Sequence, residues 1–131
     1  MYDHISFGVT NLEKSLVFYD AALGALGVNR MFAMVNEGIA GYSGAGGGTF
    51  WLYSKDRQQV PLGLVVPPPR FHLAFQATSR AAVDAFYQGA IDQGGKDDGA
   101  PGIRAQYHPN YYAAYVFDLD GYKLEAVCHS S

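Results

Sequence analysis

Residues 71–77, Phe-His-Leu-Ala-Phe-Gln-Ala, repeat the beginning of the chain, and this repetition constrains the fold more than any other feature of the sequence. A shift of 68 residues (72 − 4) carries His4 onto His72, Phe7 onto Phe75 and Thr10 onto Thr78. The same shift carries Phe18 and Tyr19 onto Phe86 and Tyr87, Ala22 onto Ala90 and Gly27 onto Gly95. Identities in order at one fixed offset are the mark of an internal duplication, and each copy must be a unit that shares its core with the other. Each copy also sets a histidine at the same point of its first strand. Approximate two-fold symmetry is expected to bring the two imidazoles together near its axis.

The chain of 131 residues suits one domain, built here from two modules: residues 1–54, a linker over 55–70, and residues 71–131. An apolar content of 49% against 16% charged is that of a globular chain. The net charge of −3, with no run of basic residues, argues against nucleic acid or an anionic membrane surface as partner. Cys128 is the only cysteine, which excludes an intramolecular disulfide and fits a reducing cytoplasm. The first residues alternate like a strand rather than forming a signal peptide, and no apolar run approaches membrane-spanning length.

Residues 2–9 alternate, with Tyr2, His4 and Ser6 on one face and Ile5, Phe7 and Val9 on the other. Thr10-Asn11-Leu12-Glu13 has the T-x-x-E form of a capping box. The helix it predicts buries Leu12, Leu16, Tyr19, Leu23 and Leu26, with Gly24 and Gly27 as stop signals. Strands follow over 28–35, 39–42 and 49–53, and the glycine-rich stretch 41–48 forms the loop before the last of them. The second copy repeats the plan. A strand over 71–77 is followed by a helix capped at Thr78-Ser79 with a stripe of Val83, Phe86, Tyr87, Ala90 and Ile91. Residues 96–109 read as one short strand and an irregular loop. Strands over 111–118 and 123–129 are then joined by Asp118-Leu119-Asp120-Gly121. The fold class is α+β, two tandem βαβββ modules.

Two histidines at equivalent strand positions and Glu125 in the last strand form a candidate facial metal triad, since imidazole and carboxylate suit Fe, Mn, Zn or Ni. Glu125 lies between Leu124 and Ala126, where a buried, unpaired charge is costly and a metal would relieve it. The alternative is that His4 and His72 are core histidines bonded to backbone and Glu125 is solvated. The aromatic stretch 107–115 precedes the last hairpin and borders this site. Tyr111, Ala113, Tyr115 and Phe117 share a face, with Tyr112 opposite. These rings either stack on a planar substrate, with His108 or Tyr111 as acid/base, or pack the barrel around a surface His108. Asp118 and Asp120 are turn residues, and Cys128 faces away from Glu125.

The βαβββ repeat, the histidine near the start of each module, F-Y-x-x-A-L at 18–23 and D-x-D-G-Y-K-L-E at 118–125 resemble the vicinal oxygen chelate superfamily. This is the glyoxalase, bleomycin-resistance and dioxygenase fold, and the resemblance covers essentially the whole chain. It implies a divalent metal ion (Mn, Fe, Zn or Ni) held by His4, His72 and Glu125, a small-molecule substrate and a homodimer whose ligands come from one chain or from both. The family's fourth ligand position falls in the strand 49–53. Aligning Gly48 with Gly121 sets Leu52 there, and leucine cannot ligate. That departure argues against lactoylglutathione lyase activity and leaves the three-ligand pattern of the family's extradiol dioxygenases and fosfomycin thiol transferases. It places Leu52, Tyr107, Tyr112, Tyr115 and Arg104 around the substrate, with Arg30, Arg70, Arg104 and Lys123 as candidate cations. The rival reading is a metal-free protein that sequesters an aromatic molecule between tyrosines.

Overall fold

The computed structural model describes residues 2–55 and 71–131, so the stretch 56–70 of the expected linker and Arg70 lie outside the described residues. The first copy runs β1 (His4–Val9), α1 (Leu12–Gly24), β2 (Asn29–Met34), a 3-10 turn (Val35–Glu37), β3 (Ile39–Ser43) and β4 (Thr49–Ser54). The second runs β5 (Leu73–Gln76), α2 (Arg80–Asp92), β6 (Lys96–Ile103), β7 (Tyr112–Phe117) and β8 (Lys123–Cys128). Each forms a four-stranded sheet of the same order, β1-β4-β3-β2 and β5-β8-β7-β6, in which first and last strands pair in parallel. The two βαβββ modules expected from the repeat are both present. Among the described residues no helix is long and apolar enough to cross a membrane.

Local chemistry differs from expectation in two places. Thr10 does not cap α1: Asn11 does, accepting from the Lys14 N–H at 3.0 Å. Thr10 instead donates from both its N–H and its hydroxyl to Asp120, at 3.0 and 2.6 Å, because the turn of the other module offers a carboxylate there. The second difference is β6, which spans eight residues rather than a short strand. Its ladder to β7 shifts register between Asp97 and Gly99 and again between Gly99 and Gly102. Pro101 is tolerated because β6 lies at the sheet edge, where a missing N–H removes no ladder bond.

The core joins the modules. Phe7, Val9, Leu16, Phe18, Tyr19, Leu23, Phe50 and Leu52 of the first pack with Val83, Phe86, Ala90, Val116, Leu124 and Ala126 of the second. The helices touch at repeat-equivalent residues, as a local two-fold axis requires, since 21 + 68 = 89. A Cβ on Gly89 would stand 2.8 Å from the carbonyl oxygen of Ala21. Glycine is therefore needed there for α2 to approach α1. Beside this contact the Tyr19 hydroxyl donates to Asp118 at 2.5 Å. Asp118 is buried and also accepts N–H bonds from Asp120 and Tyr122, at 2.9 and 2.8 Å. Tyr122 stacks on Phe7, ring centroids 4.1 Å apart, and donates to the Gly8 carbonyl.

Two predictions follow from this core. Tyr19→Phe removes one of the donors to a buried carboxylate and should lower the free energy of unfolding by about 1–3 kcal/mol in urea titration. An unchanged midpoint would show that the bond does not tie the modules. The second concerns alkali. Burial first, then the nearby carboxylate, raises Tyr19 (Asp118) and Tyr42 (Asp20) well above the ordinary tyrosine value of about 10. Folded tyrosines then hold protons that unfolded ones release, so their contribution to stability is fully present below about pH 10 and is lost as pH rises beyond it. Tyrosine ionisation, read by ultraviolet absorbance, should coincide with loss of tertiary structure. Full ionisation of a still-folded chain would contradict this.

Candidate functional site

The helix-facing side of each sheet supplies the core, so the polar alternation of β1 and β5 turns the two histidines away from it. In β1 Phe7 and Val9 are buried while His4 and Ser6 are exposed. In the second sheet Ala74 pairs with Glu125, and Glu125 pairs on its other side with Tyr115. Neighbouring residues in register share a face, which puts His72, Glu125 and Tyr115 together.

His72 Nε2 lies 2.9 Å from Glu125 Oε2, and the Tyr111 hydroxyl donates to Oε1 at 2.5 Å. Glu125 is only 2% exposed although it faces away from the main core, because His72, Tyr111 and Tyr115 cover it. Burial, then the Glu125 carboxylate, pushes Tyr115 up to about 12, and the same causes raise Tyr111 further. Both rings therefore stay protonated phenols at neutral pH, and Tyr111 donates to Glu125. The buried carboxylate that the sequence left without a partner is satisfied by side chains of its own module.

His72, Glu125, Tyr107, Tyr111, Tyr115, Arg104 and Lys123 line one open cleft of about 790 Å³. Lys123 is paired with Asp98 at 2.7 Å. Arg30, another expected cation, is used elsewhere, bound to Asp20 on α1 at 2.9 Å. His108 does not line the cleft. Its Nδ1 accepts from the Asn110 N–H at 3.1 Å, so Nε2 carries the proton and donates to His129 Nδ1 at 2.8 Å. Both rings pack edge-on against Tyr111, so this pair holds the phenol that meets Glu125. His129, read from sequence as the end of the last strand, had no spacing relation to His108 that would have revealed the pair.

Three expectations need correction. His4 does not join His72 and Glu125 within the chain. Its Nδ1 is bonded to Asp3 at 2.6 Å, and the described residues contain no group of three His, Cys, Asp or Glu side chains that could hold a metal. The repeat-equivalent residues that meet are Ala21 and Gly89 of the two helices, while His4 lies on a sheet face turned from the core. Tyr112 does not face the cleft either, since it projects from the opposite side of β7 and donates to Asp84 on α2 at 2.6 Å. Leu52 is fully buried in the core. Ser6 pairs with Trp51 and its repeat equivalent Ala74 pairs with Glu125, so Trp51 occupies the place that corresponds to Glu125. The glycine alignment fails by one residue because Thr49 follows Gly48 directly, whereas Tyr122 intervenes between Gly121 and Lys123. A one-residue slip turns a side chain to the other face of a sheet. Trp51 lies over Gly41, where a Cβ would stand 2.6 Å from the indole, and meets Phe32 edge to face.

Comparison with known proteins agrees with this architecture. The family model described as the glyoxalase/bleomycin resistance protein/dioxygenase superfamily matches residues 2–126. The chain is 32% identical to a glyoxalase/bleomycin resistance protein from Albidiferax ferrireducens, with 98% of each chain covered and a TM-score of 0.82. A glyoxalase-related enzyme from Fulvimarina pelagi shares 21% identity over 98% of this chain and 87% of that one, TM-score 0.74. The fosfomycin resistance protein FosX from Listeria monocytogenes, complexed with Mn(II) and 1S,2S-dihydroxypropylphosphonic acid, shares the fold. It is 18% identical, covers 100% of this chain and 90% of its own, and has a TM-score of 0.68. No curated protein matches the chain. A duplicated βαβββ unit, a histidine at the start of each copy and a carboxylate in the last strand thus agree with the match over nearly the whole length: the chain belongs to the glyoxalase/bleomycin resistance protein/dioxygenase superfamily.

Proposed function

We propose that this protein is a metal-dependent enzyme that chelates a small oxygen-bearing substrate on a divalent ion held by His72 and Glu125 of one chain and His4 of a second copy. The observation that carries this reading is the spacing of the first two. Donors about 2.1 Å from one ion and at right angles to each other lie about 3 Å apart. The 2.9 Å between His72 Nε2 and Glu125 Oε2, a hydrogen bond in the ion-free chain, also suits two adjacent ligands of one ion.

His4 has the form of a ligand in waiting. Asp3 fixes one ring nitrogen, His4 makes no other hydrogen bond among the described residues, and a carboxylate behind an imidazole is the usual support of a metal-bound histidine. The exposed apolar side chains Met31, Phe32 and Met34 on the edge strand β2 favour a homodimer that covers them. When bound, such an ion would polarise substrate oxygens and stabilise developing negative charge. The chain's own residues then have separate tasks. Tyr111 and Tyr115 orient Glu125 and wall the cleft, and His108 acts through Tyr111 rather than on substrate. Trp51 supplies no fourth donor, so the proton transfer that a carboxylate there would perform in a lactoylglutathione lyase is not proposed.

A second reading is a metal-free binding protein. It is favoured by Glu125, each of whose oxygens is hydrogen-bonded without an ion, and by the tyrosine walls of the cleft. Thiol transfer to an antibiotic, the activity of other three-ligand members that the sequence resembles, would show itself as thiol-dependent turnover.

Elemental analysis of untagged protein separates the readings. One equivalent of Mn, Fe, Zn or Ni per chain, lost in His4→Ala, His72→Ala and Glu125→Ala, is expected. Mixing His4→Ala with Glu125→Ala under subunit exchange should restore one site in each mixed dimer. Metal in the wild type without restoration would place all ligands in one chain, and no metal or uptake would favour the binding protein. Trp51→Glu should tighten metal binding by about tenfold by adding an oxygen donor. Leu52→Glu should instead destabilise the fold by roughly 3 kcal/mol or more. Thermal melts beside metal titration distinguish the two.

A further inference from the structure

Arg104 is held in the cleft as a preorganised cation, and we infer that it is the anchor for an oxyanion (carboxylate, phosphate or phosphonate) on a small ligand with a planar apolar body. Its guanidinium donates from Nη2 to the Ala100 carbonyl at 2.6 Å and lies over the Tyr115 ring, 5.6 Å from the centroid. Bulged β6 is shaped around it. A Cβ on Gly99 would stand 3.3 Å from Nη2, and one on Gly102 would stand 3.1 Å from Nη1. Gly99 has φ +150°, which a side chain rarely adopts. The residue's root is fixed too, by its N–H to the Tyr111 carbonyl at 2.7 Å and by the Tyr107 N–H to its own carbonyl at 2.9 Å.

The charge is not consumed. Lys123, the neighbouring cation of the cleft, spends its charge on Asp98, whereas Arg104 has no carboxylate within ion-pair distance among the described residues. A guanidinium offers several N–H donors in a planar fork, and only one carbonyl occupies them here. Tyr107, Tyr111 and Tyr115 stand beside it on the cleft wall, so a ligand that meets the fork with an oxyanion lays its remaining body against aromatic rings. Because the guanidinium is already positioned, little ordering entropy is lost on binding. Neither the bond nor the stacking needs a metal, so this site stands whether or not His72 and Glu125 hold one.

Isothermal titration with sodium benzoate, inorganic phosphate and the uncharged isostere benzamide tests the assignment, in protein as purified and after chelation. Benzoate or phosphate should bind one per chain, with or without chelation, and Arg104→Gln should weaken binding about tenfold or more. Arg104→Lys should recover part of the loss, because it restores the charge without the fork. Benzoate alone binding would mark the natural ligand as an aryl carboxylate, and phosphate alone would mark a phosphoryl or phosphonyl compound. Benzoate binding no more tightly than benzamide while phosphate fails to bind would overturn the site, and this comparison does not depend on any variant folding. Anion binding that Arg104→Gln leaves intact and chelation abolishes would belong to the metal instead, and would equally overturn it.

Discussion

The buried carboxylate of Asp118 is the point at which the two halves of this molecule become one. It accepts the Tyr19 hydroxyl from the first module while holding the N–H groups of its own β7–β8 turn, and a buried charge left without such donors would be costly. Around it the tie is repeated. Asp120 receives Thr10, Tyr122 stacks on Phe7, and α2 sits on α1 through a glycine that leaves no room for a Cβ. The D-x-D-G turn, which reads as a hairpin signal, is therefore also the clasp between modules. Because the helices meet at repeat-equivalent residues, the local two-fold axis is fixed inside the apolar core, and the polar face of each sheet is turned away from it.

That orientation governs the site. Strand pairing brings His72, Glu125 and Tyr115 onto one face, and the loop before β7 adds Tyr111, itself held by the His108–His129 pair. The result is a carboxylate that is buried yet bonded at both oxygens, beside an imidazole, in a cleft whose walls are phenols and where Arg104 has no ion-pair partner among the described residues. The corresponding face of the first module carries His4, oriented by Asp3, and Trp51 in place of a carboxylate. One module thus presents a nearly assembled polar centre and the other a histidine and an aromatic wall. Under the proposed function, this division is the reason a second copy would supply the remaining ligand.

Much of this was legible in the residues. The repeat at one fixed offset specifies two copies of the same unit, and the alternation in β1, β5, β7 and β8 specifies which side chains share a face. Glu125 was singled out because its neighbours are apolar, and it is indeed among the most deeply buried side chains. Register was not legible to the residue. Gly48 and Gly121 look equivalent, but one turn carries an additional residue before its strand, and that single step exchanges Leu52 for Trp51. Capping was read one residue early for a related reason: the side chain that could have capped α1 was claimed by a carboxylate 110 residues away.

The sequence by itself determined the duplicated βαβββ plan, the burial of each helix stripe and the residues able to ligate a metal, because periodicity and residue chemistry are local properties. Only the tertiary structure decided which of those residues meet. His72 finds Glu125 because parallel pairing of β5 with β8 sets them side by side, whereas His4 bonds to its neighbour Asp3. Arg30 and Lys123 meet carboxylates while Arg104 meets none among the described residues, since whether a cation is paired depends on groups brought near it through space. Those distances follow from how α1, α2 and the two sheets pack, which no spacing along the chain records.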